Sequence, residues 1–435
     1  MMFIKKPIFH TLIGLLLLFA APLCRAQLIM DNLTDTTQYN KGLFSLYEKF
    51  NRLRFSGYIQ PQYQVIESKG APSFNGGNFP EAVNNRFMLR RGRLRLDYTH
   101  VNEEGLPTVF FVYQFDGTER GFFTRDFFGR IFENKWSVIN LTAGIFPRPF
   151  GYEINLGSSD RESPERGRMS QLLMRTERDL GAMISFNPQR SEHSLSFLKI
   201  DLGFFNGQGL SGTTDFDSYK DLISRVSVKQ LPISSNLILS AGASVLYGGM
   251  QQFTNEIYRM KGDRFELDDS AENVGNIAPR HYVGADMQLL IKNKLGSTEL
   301  RAEYIAGTQT STRTTTETPG TIPLRNGLPG PLYIRPFNGA YFYFLHSLKN
   351  PKHQFLVKYD WYDPNSAVAG KQLDQTFTGA DVNFHTLGFG YNYYVSANLR
   401  LLLWVDRVKN EETLLEGFQK DLTDNQFTCR LQFRF

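Results

Sequence analysis

Hydrophobic and polar residues alternate along most of this chain in segments of about ten residues, the pattern of β-strands with one apolar face. From 399 to 406, for example, leucine and valine occupy the odd positions, whereas Arg400 and Asp406 lie at even ones. The alternation predicts sixteen strands, of a length that suits tilted strands spanning a bilayer. We place them at 55–66, 86–99, 107–116, 126–132, 136–146, 180–187, 194–205, 221–230, 237–249, 281–292, 298–308, 338–348, 353–362, 385–394, 399–408 and 426–435.

The predicted connections between these strands differ in length in a regular way. Short links, such as 133–135 and 395–398, alternate with long ones, such as 147–179 and 250–280, with the weak fourth strand as the one irregularity. Seven short turns and eight long loops are expected of an even-stranded barrel with both ends in the periplasm. We therefore predict an all-β fold, a transmembrane antiparallel β-barrel of 16 strands over residues 55–435. Its turns are short and periplasmic, its loops long and extracellular, and its third loop is folded into the lumen. A large soluble β-sandwich or an adhesin is the alternative.

The two ends of the chain predict export to the cell outer membrane. Residues 1–26 carry a basic start, an apolar run and small residues before Gln27, which is typical of a secretory signal peptide. Residues 27–54 place apolar side chains at helical spacing, so a periplasmic segment with a short amphipathic helix is expected there. The last strand alternates up to Phe435, as in the signal that the barrel-assembly machinery recognises. Outer-membrane lipid is therefore a predicted partner.

The amino-acid composition restricts which other classes of protein the chain can belong to. After the signal peptide no segment reaches the roughly 18 to 20 apolar residues of a membrane helix, yet aromatic residues make up 14% of the chain. Only Cys429 follows the signal peptide, which excludes an intramolecular disulfide. Three positive charges and no negative one lie in residues 1–26, so the formal net charge of +5 becomes +2 without them. A net charge this small does not indicate a particular partner, and no nucleic acid is expected to bind.

One strand is unusually basic. Arg91, Arg93 and Arg95 share one of its faces, while Leu94 and Leu96 share the other. Three arginines on one face repel each other unless water or anions lie beside them, so the pattern favours a wet interior. This strand is the only basic surface in the sequence for which no compensating carboxylates are expected. An exposed basic edge strand, charged to block aggregation, is the alternative.

The phase of the alternation reverses just before this stretch. Phe87 and Leu89 are the apolar positions there, so the apolar positions are odd rather than even. We interpret the reversal as a β-bulge at Arg90 and Arg91 that turns two consecutive guanidinium groups to the same side. Both groups would then face the lumen.

The third predicted loop holds equal numbers of positive and negative residues. The arginines are Arg148, Arg161, Arg166, Arg168, Arg175 and Arg178, and the acidic residues are Glu153, Asp160, Glu162, Glu165, Glu177 and Asp179. Inside a barrel this loop would form the constriction, where guanidinium groups favour anions because they stay charged and present a planar donor fork. The charges of the loop cancel. Any one of these arginines is therefore as consistent with an ion pair within a surface loop as with a basic lining of the pore.

The chain resembles the phosphate-selective porins related to porins O and P over nearly all of the barrel region. The resemblance rests on the segments FMLRRGRLRLDY, YQFDG, GIFPRPFG and SSDRESPER. It implies a sixteen-stranded trimeric channel lined by arginines and narrowed by the third loop. By position, Arg90 and Arg91 match the paired arginines that such porins place at the narrowest point, and Asp116 matches the acidic residue near them. The charge-balanced third loop departs from that family.

The predicted function is an outer-membrane porin for passive diffusion of small solutes, with a preference for anions such as phosphate and without catalysis. The predicted pore-lining and anion-binding residues are Arg90, Arg91, Arg93, Arg95, Asp116, Arg148, Arg161, Arg166 and Arg168, with no cofactor and no metal. The alternatives are a closed-lumen binding or adhesion barrel and a barrel enzyme of the phospholipase kind. The sequence has none of the GxSxG, HExxH or P-loop fingerprints that an enzyme of those classes would carry.

An acidic run lies in the predicted loop 250–280. It consists of Asp263, Glu266, Asp268, Asp269 and Glu272. Carboxylates at such spacing are ligands that calcium accepts, so a calcium site is one interpretation. A solvated acidic loop on the outer surface is the favoured one.

Overall fold

A closed barrel of sixteen antiparallel strands is formed by the residues that the computed structural model describes, which are 52–190, 192–212 and 214–435. Its strands are β1 Leu53–Ile66, β2 Asn85–Val101, β3 Pro107–Thr118, β4 Gly121–Phe132, β5 Ile139–Pro147, β6 Arg178–Phe186, β7 Leu198–Phe205, β8 Asp221–Ser234, β9 Leu237–Gln251, β12 Ile277–Asn293, β13 Gly296–Ser311, β16 Leu332–Leu348, β17 His353–Asp363, β18 Phe384–Ser396, β19 Leu399–Asn410 and β20 Gln426–Arg434.

The loops carry the remaining elements. Two small hairpins, β10 Glu256–Lys261 with β11 Arg264–Asp269 and β14 Leu324–Arg325 with β15 Leu328–Pro329, lie between barrel strands. Helix α1, Arg168–Leu173, follows β5, and short 3-10 turns span Gly209–Ser211, Ala271–Asn273, Gly370–Gln372 and Gly379–Asp381. Among the described residues no helix is long and apolar enough to cross a bilayer.

The barrel closes because its first and last strands pair. β1 and β20 run antiparallel, from Tyr58 opposite Arg434 to Ile66 opposite Gln426. The other strands pair antiparallel with their neighbours around the wall. Closure satisfies the backbone groups that the outer edges of an open sheet would leave unpaired. The predicted fold is confirmed, and all sixteen predicted strands are present.

One predicted loop is absent. β4 begins at Gly121 rather than at residue 126, so only Glu119 and Arg120 separate it from β3, where a long loop was expected. The register of the two strands shifts at Arg125, because Gln114 faces Asp126 whereas Phe115 faces Thr124. The extra residue breaks the period of two, which is why the sequence pattern starts this strand too late.

The predictions for the N-terminal part stay predictions. The signal peptide expected at 1–26 and residues 27–51 of the segment expected to carry a helix lie outside the described residues. The end of that segment differs from the prediction, because Leu53 and Arg54 belong to β1. From Phe55 to Phe435 the chain forms one compact unit.

The outer face of the barrel wall is apolar. Leu94 and Leu96 of β2 are exposed, as are Phe127 and Ile131 of β4, whereas the charged neighbours of these residues are buried or half-buried. Large apolar side chains exposed in this alternating pattern form the surface that a barrel presents to lipid. The predicted division of β2 into a lipid face and an inner face therefore agrees with its exposure.

The interior of the barrel contains an apolar core. Strand residues Phe146, Met183, Phe205, Ile223, Leu246, Tyr282, Ile305, Phe337 and Tyr362 pack there against Phe150, Ile154, Met169, Leu173 and Met174 of the third loop. The third loop, residues 148–177 and called loop 3 below, therefore lies inside the barrel as predicted. Apolar contacts dock loop 3 to the wall. This part of the interior therefore differs from the polar lining of a water-filled pore.

Candidate constriction inside the barrel

Loop 3 contains a polar arch, defined here as residues 158–166, between Gly157 and Gly167. On one side of the lumen the arch is held by the strands that close the barrel. Gln60 of β1 donates to the carbonyl of Ser158 at 3.0 Å, and Gln432 of β20 donates to the carbonyl of Ser159 at 3.0 Å. These hydrogen bonds place the arch against the wall formed by β1 and β20.

Residues on the opposite side of the lumen bind the same arch. Arg301 of β13 donates to both carboxylate oxygens of Glu162, at 2.7 and 2.9 Å. Ser163 and the Tyr343 hydroxyl of β16 form a hydrogen bond at 2.8 Å. Because β13 and β16 lie away from β1 along the barrel wall, the arch crosses the lumen.

Four arginines converge on Glu165 in the middle of the arch. Arg90 donates from Nε and Nη2 to its two oxygens at 2.9 and 3.2 Å, and Arg91 donates from Nη1 and Nη2 at 2.8 and 2.5 Å. Arg430 of β20 donates at 3.0 Å, and Nη1 of Arg161 lies 3.7 Å from Oε2. These residues are called the arginine cluster below. The Glu165 side chain is only 3% exposed, so the ion pairs are shielded from solvent.

The side chains of β2 reverse their phase at Arg90 and Arg91, where the sequence predicts a bulge. Arg90 and Arg91 both reach Glu165, so two consecutive residues face inward. Before them Met88 lies against Gln62 of the inner wall, and after them Arg93 is buried. The expectation that this strand lacks compensating carboxylates is wrong, because Glu165 arrives from loop 3.

The predicted residues farther along β2 are paired on the inner wall. Arg93 donates from Nε to Asp116 of β3 at 3.1 Å and from Nη1 to the hydroxyl of Ser158 at 2.7 Å. Arg95 donates to Asp97 at 2.8 Å, and its side chain keeps an exposed fraction of 32%. Asp116 thus lies beside the arginine cluster and is occupied by Arg93, whereas Arg95 remains reachable from the lumen.

Two of the predicted loop arginines lie away from the cluster. Arg148 donates to the carbonyl of Thr176 at 2.5 Å and lies 4.0 Å from Asp179. Arg166 lies 3.2 Å from Glu177 and donates to main-chain carbonyls of helix α1 and the residue after it. Burial lowers the pKa of Arg166 to about 10 even though Glu177 opposes the change. Both arginines hold loop 3 together, so the expectation of pairing within the loop describes them better than a pore-lining role.

Arg168 takes a third arrangement. Its guanidinium lies between the rings of Phe74 and Phe384, with its Cζ 4.2 and 3.5 Å from the two ring centres. It lines a small cavity of about 40 Å³ together with Asp360 and Asp424. Burial lowers the pKa of Arg168 to about 10, while the two carboxylates act in the opposite direction. Cation–π contacts therefore replace ion pairs at this residue.

Sequence reasoning missed several arginines of the inner wall, among them Arg301, which binds Glu162 of the arch, Arg430 and Arg125. Arg430 looks like an ordinary polar position of the last strand, and only its inward phase and the closure of the barrel bring it to Glu165. Arg125 occupies the extra position of β4 and donates to Glu177 at 2.6 Å. The signal available for Arg125 is the consecutive pair Arg125 and Asp126, which parallels the pair Arg90 and Arg91.

The acidic run proposed as a calcium alternative lies on the β10–β11 hairpin and the turn after it. Glu266, Asp268 and Asp269 belong to β11, whose residues are mostly exposed. Within the described ranges no three or more His, Cys, Asp or Glu side chains are arranged to hold a metal ion.

The charge of Glu165 is protected by its surroundings. Burial alone would raise the pKa of Glu165, but Arg90, Arg91 and Arg430 outweigh burial and hold this pKa well below its usual range. A carboxylate with a depressed pKa stabilises the folded state above its unfolded pKa of about 4.3. That stabilisation is lost only as the pH falls through the lower, folded value.

We therefore expect the arch to stay docked from pH 8 down to about pH 4.5. Hydrogen exchange of residues 158–166 should be slow throughout this range once the intrinsic effect of pH on exchange is subtracted. A rise of the corrected exchange rate near pH 6 would contradict the assigned charge state of Glu165. Residues 150–154 are the internal reference, because Phe150 and Ile154 lie in the apolar core.

The barrel is similar to solved outer-membrane channels at low sequence identity. It matches OprB of Pseudomonas putida with a TM-score of 0.57 and 8% identity over 90% of this chain and 96% of that one. It matches an anion-selective porin from Comamonas acidovorans with a TM-score of 0.52 and 11% identity over 88% of this chain and 99% of that one. It matches the outer membrane channel DcaP of Acinetobacter baumannii with a TM-score of 0.52 and 12% identity over 88% of this chain and 97% of that one. No protein-family profile and no curated protein sequence matches the chain. The similarity to these channels therefore concerns the fold alone.

Proposed function

We propose that this chain is an outer-membrane porin that admits small solutes by passive diffusion and prefers anions such as phosphate. The observation that carries the proposal is the convergence of Arg90, Arg91 and Arg430 of the inner wall with Arg161 of the arch. Guanidinium groups stay charged and match the geometry of phosphate-like oxygens, so their concentration in a lumen favours anions. The arrangement calls for no catalytic group.

A row of partly exposed arginines supports the anion preference. Arg90, Arg95, Arg125 and Arg178 keep 27%, 32%, 16% and 13% of their side chains exposed on the β2, β4 and β6 side of the wall. Each is paired with a carboxylate, so each would hold a passing anion weakly. Conduction needs such weak, repeated sites, because a single tight site would trap its ion.

The setting of the channel follows from the same proposal. The apolar outer face would contact outer-membrane lipid, and the strand ending at Phe435 would guide insertion by the barrel-assembly machinery. A homotrimer is the assembly that the resemblance to phosphate-selective porins implies. The signal peptide at 1–26 would direct export.

Selectivity of single channels under a KCl gradient tests the proposal. We expect a reversal potential of the anion-selective sign, and we expect the double substitution Arg90→Ala with Arg91→Ala to move it toward zero. The double substitution removes two positive charges from the inner wall and leaves Glu165 to Arg161 and Arg430. A cation-selective wild type would refute the anion preference. Unchanged selectivity in the variant would show that these two arginines are not the filter.

A closed-lumen binding barrel is the second candidate, and the docking of loop 3 favours it. Phe150 and Ile154 seal one part of the lumen with apolar contacts, and the arch spans another part. The two candidates differ in a simple observable. The porin conducts ions in planar bilayers, whereas the closed barrel conducts none while it still binds its partner at the cell surface.

A further inference from the structure

The small cavity beside Arg168 lies where loop 3 meets the inner wall near the closure of the barrel. Asp360 of β17, Asp406 of β19 and Asp424 before β20 border it, as does Phe74 of the segment after β1. It is called the Arg168 cavity below. The partly exposed arginines of β2, β4 and β6 do not border it. The cavity is therefore separate from the row of arginines that supports the anion preference.

Carboxylates outnumber cations around the Arg168 cavity. The acidic residues without a partner outside the cavity are Asp360, Asp406 and Asp424, and the basic residues are Lys358 and Arg168. Lys358 is shared, because its Nζ lies 3.2 Å from Oε1 of Glu153 and 3.4 Å from Oδ2 of Asp360. Glu165 and Arg166 also border the cavity, but both are paired outside it. The cavity therefore holds negative charge that these cations do not balance.

Two of the carboxylates form no ion pair with the described residues. Asp424 is 3% exposed, and its Oδ1 accepts no hydrogen bond from them. Asp406 accepts only from neutral groups, the indole N–H of Trp404 at 2.6 Å and the side-chain amide of Asn75. Burial raises the pKa of Asp424 to about 6, and Arg168 opposes this rise only in part. A buried carboxylate in these surroundings favours a cationic donor from outside the chain.

Arg168 has the opposite deficit. Its guanidinium lies against the rings of Phe74 and Phe384, and it forms no ion pair with the described residues. Its Nε group is buried without an acceptor. Ring faces attract a cation, but they do not supply the oxygen acceptors that match a planar guanidinium fork. One cavity thus presents a donor fork and a carboxylate that do not pair with each other.

We propose that the Arg168 cavity binds the head group of a small α-amino acid, whose carboxylate accepts from Arg168 and whose ammonium group donates to Asp424. A water-sized group needs about 10–15 Å³, so a cavity of about 40 Å³ has room for about three such groups. The carboxylate, the ammonium group and the carbon atom between them are of about that size. Asp406 would offer the ammonium group a second acceptor. The site goes beyond the proposed function, because it depends neither on the arginine cluster nor on a preference for anions.

Equilibrium dialysis of the detergent-solubilised protein against radiolabelled glycine tests the site. Methylamine and acetate each carry only one of the two charged groups of glycine. We expect glycine to bind, and we expect each of these fragments to compete at least about tenfold more weakly than unlabelled glycine, because each loses a charge-assisted hydrogen bond. Absence of glycine binding, or a fragment that competes as well as glycine does, would overturn the proposal.

Substitutions locate the bound glycine. Asp424→Asn and Arg168→Gln should each weaken glycine binding at least about tenfold. The matched control is Glu416→Gln, which removes a carboxylate from the same segment between β19 and β20. Glu416 is exposed and does not border the cavity, so wild-type affinity is expected for this control. Wild-type affinity in either cavity variant, or an equal loss in the control, would refute the site.

Dialysis separates this site from the proposed function, because it does not require an open channel. Reversal potentials in KCl test the anion preference independently. An anion-selective channel that does not bind glycine refutes only the amino-acid site. A cation-selective channel that binds glycine refutes only the anion porin.

Discussion

Replacing Glu165 by glutamine is expected to raise the resting chloride conductance at least about tenfold. Removing one partner of a buried ion pair typically costs about 3–5 kcal/mol, because the other partner keeps an uncompensated charge, and each 1.4 kcal/mol changes a population tenfold. Here the variant leaves Arg90, Arg91 and Arg430 of the wall, and Arg161 of the arch, around a neutral side chain. The arginines then repel each other, and the wall loses its anchor on the arch. Ensemble conductance in planar bilayers without phosphate measures the effect.

The control for this substitution is Asp160→Asn, five residues away in the same arch. Asp160 pairs with Arg434 at 2.5 Å, but both side chains are exposed. An exposed ion pair contributes about 0–1 kcal/mol, so the control should change the conductance about fivefold at most. Wild-type conductance in the Glu165→Gln channel would show that the arch does not limit the flow of ions.

The strands of this barrel could be predicted from sequence because two different surroundings act on alternate residues. Lipid faces Leu94 and Leu96, and the polar interior faces Arg93 and Arg95, so the period of two is imposed along the whole strand. The pattern fails where an extra residue enters, as at Arg125, because two consecutive side chains then face inward. That irregularity is local and leaves the number of strands unchanged.

The site was less accessible to sequence reasoning. The phase reversal at Arg90 and Arg91 predicts two inward guanidinium groups, and both reach the lumen side. Their partner could not be found in this way, since the position of Glu165 depends on how loop 3 docks. Docking is set by contacts such as Phe150 with Tyr282, whose ring centres lie 6.0 Å apart and which are far apart in sequence. Periodicity carries no information about such distant pairings.

The two halves of loop 3 therefore have different physical roles. Apolar contacts near Ile154 and Met169 determine where the loop sits, and they do not depend on the charge of a side chain. Ion pairs of the arch, centred on Glu165, hold the segment that crosses the remaining lumen, and they depend on the charge of both partners.

Ile154→Ala is expected to lower the free energy of unfolding by about 2–5 kcal/mol, the cost of removing a large aliphatic side chain from a packed core. Ile154 is 2% exposed and belongs to the apolar core inside the barrel. The cavity would loosen the docking of loop 3, so the conductance of the variant should also fluctuate more than that of the wild type. Urea-induced unfolding in detergent micelles, followed by tryptophan fluorescence, measures the stability, and single-channel noise measures the docking.

Leu156→Ala provides the matched control, since it removes a side chain of the same size from the same loop. Leu156 is half-buried and lies outside the apolar core, so its truncation should cost about 1 kcal/mol or less. Similar losses of stability in the two variants would mean that the apolar core does not dock loop 3 specifically. A large loss for Ile154→Ala with unchanged channel noise would mean that the core stabilises the barrel wall but does not hold the loop.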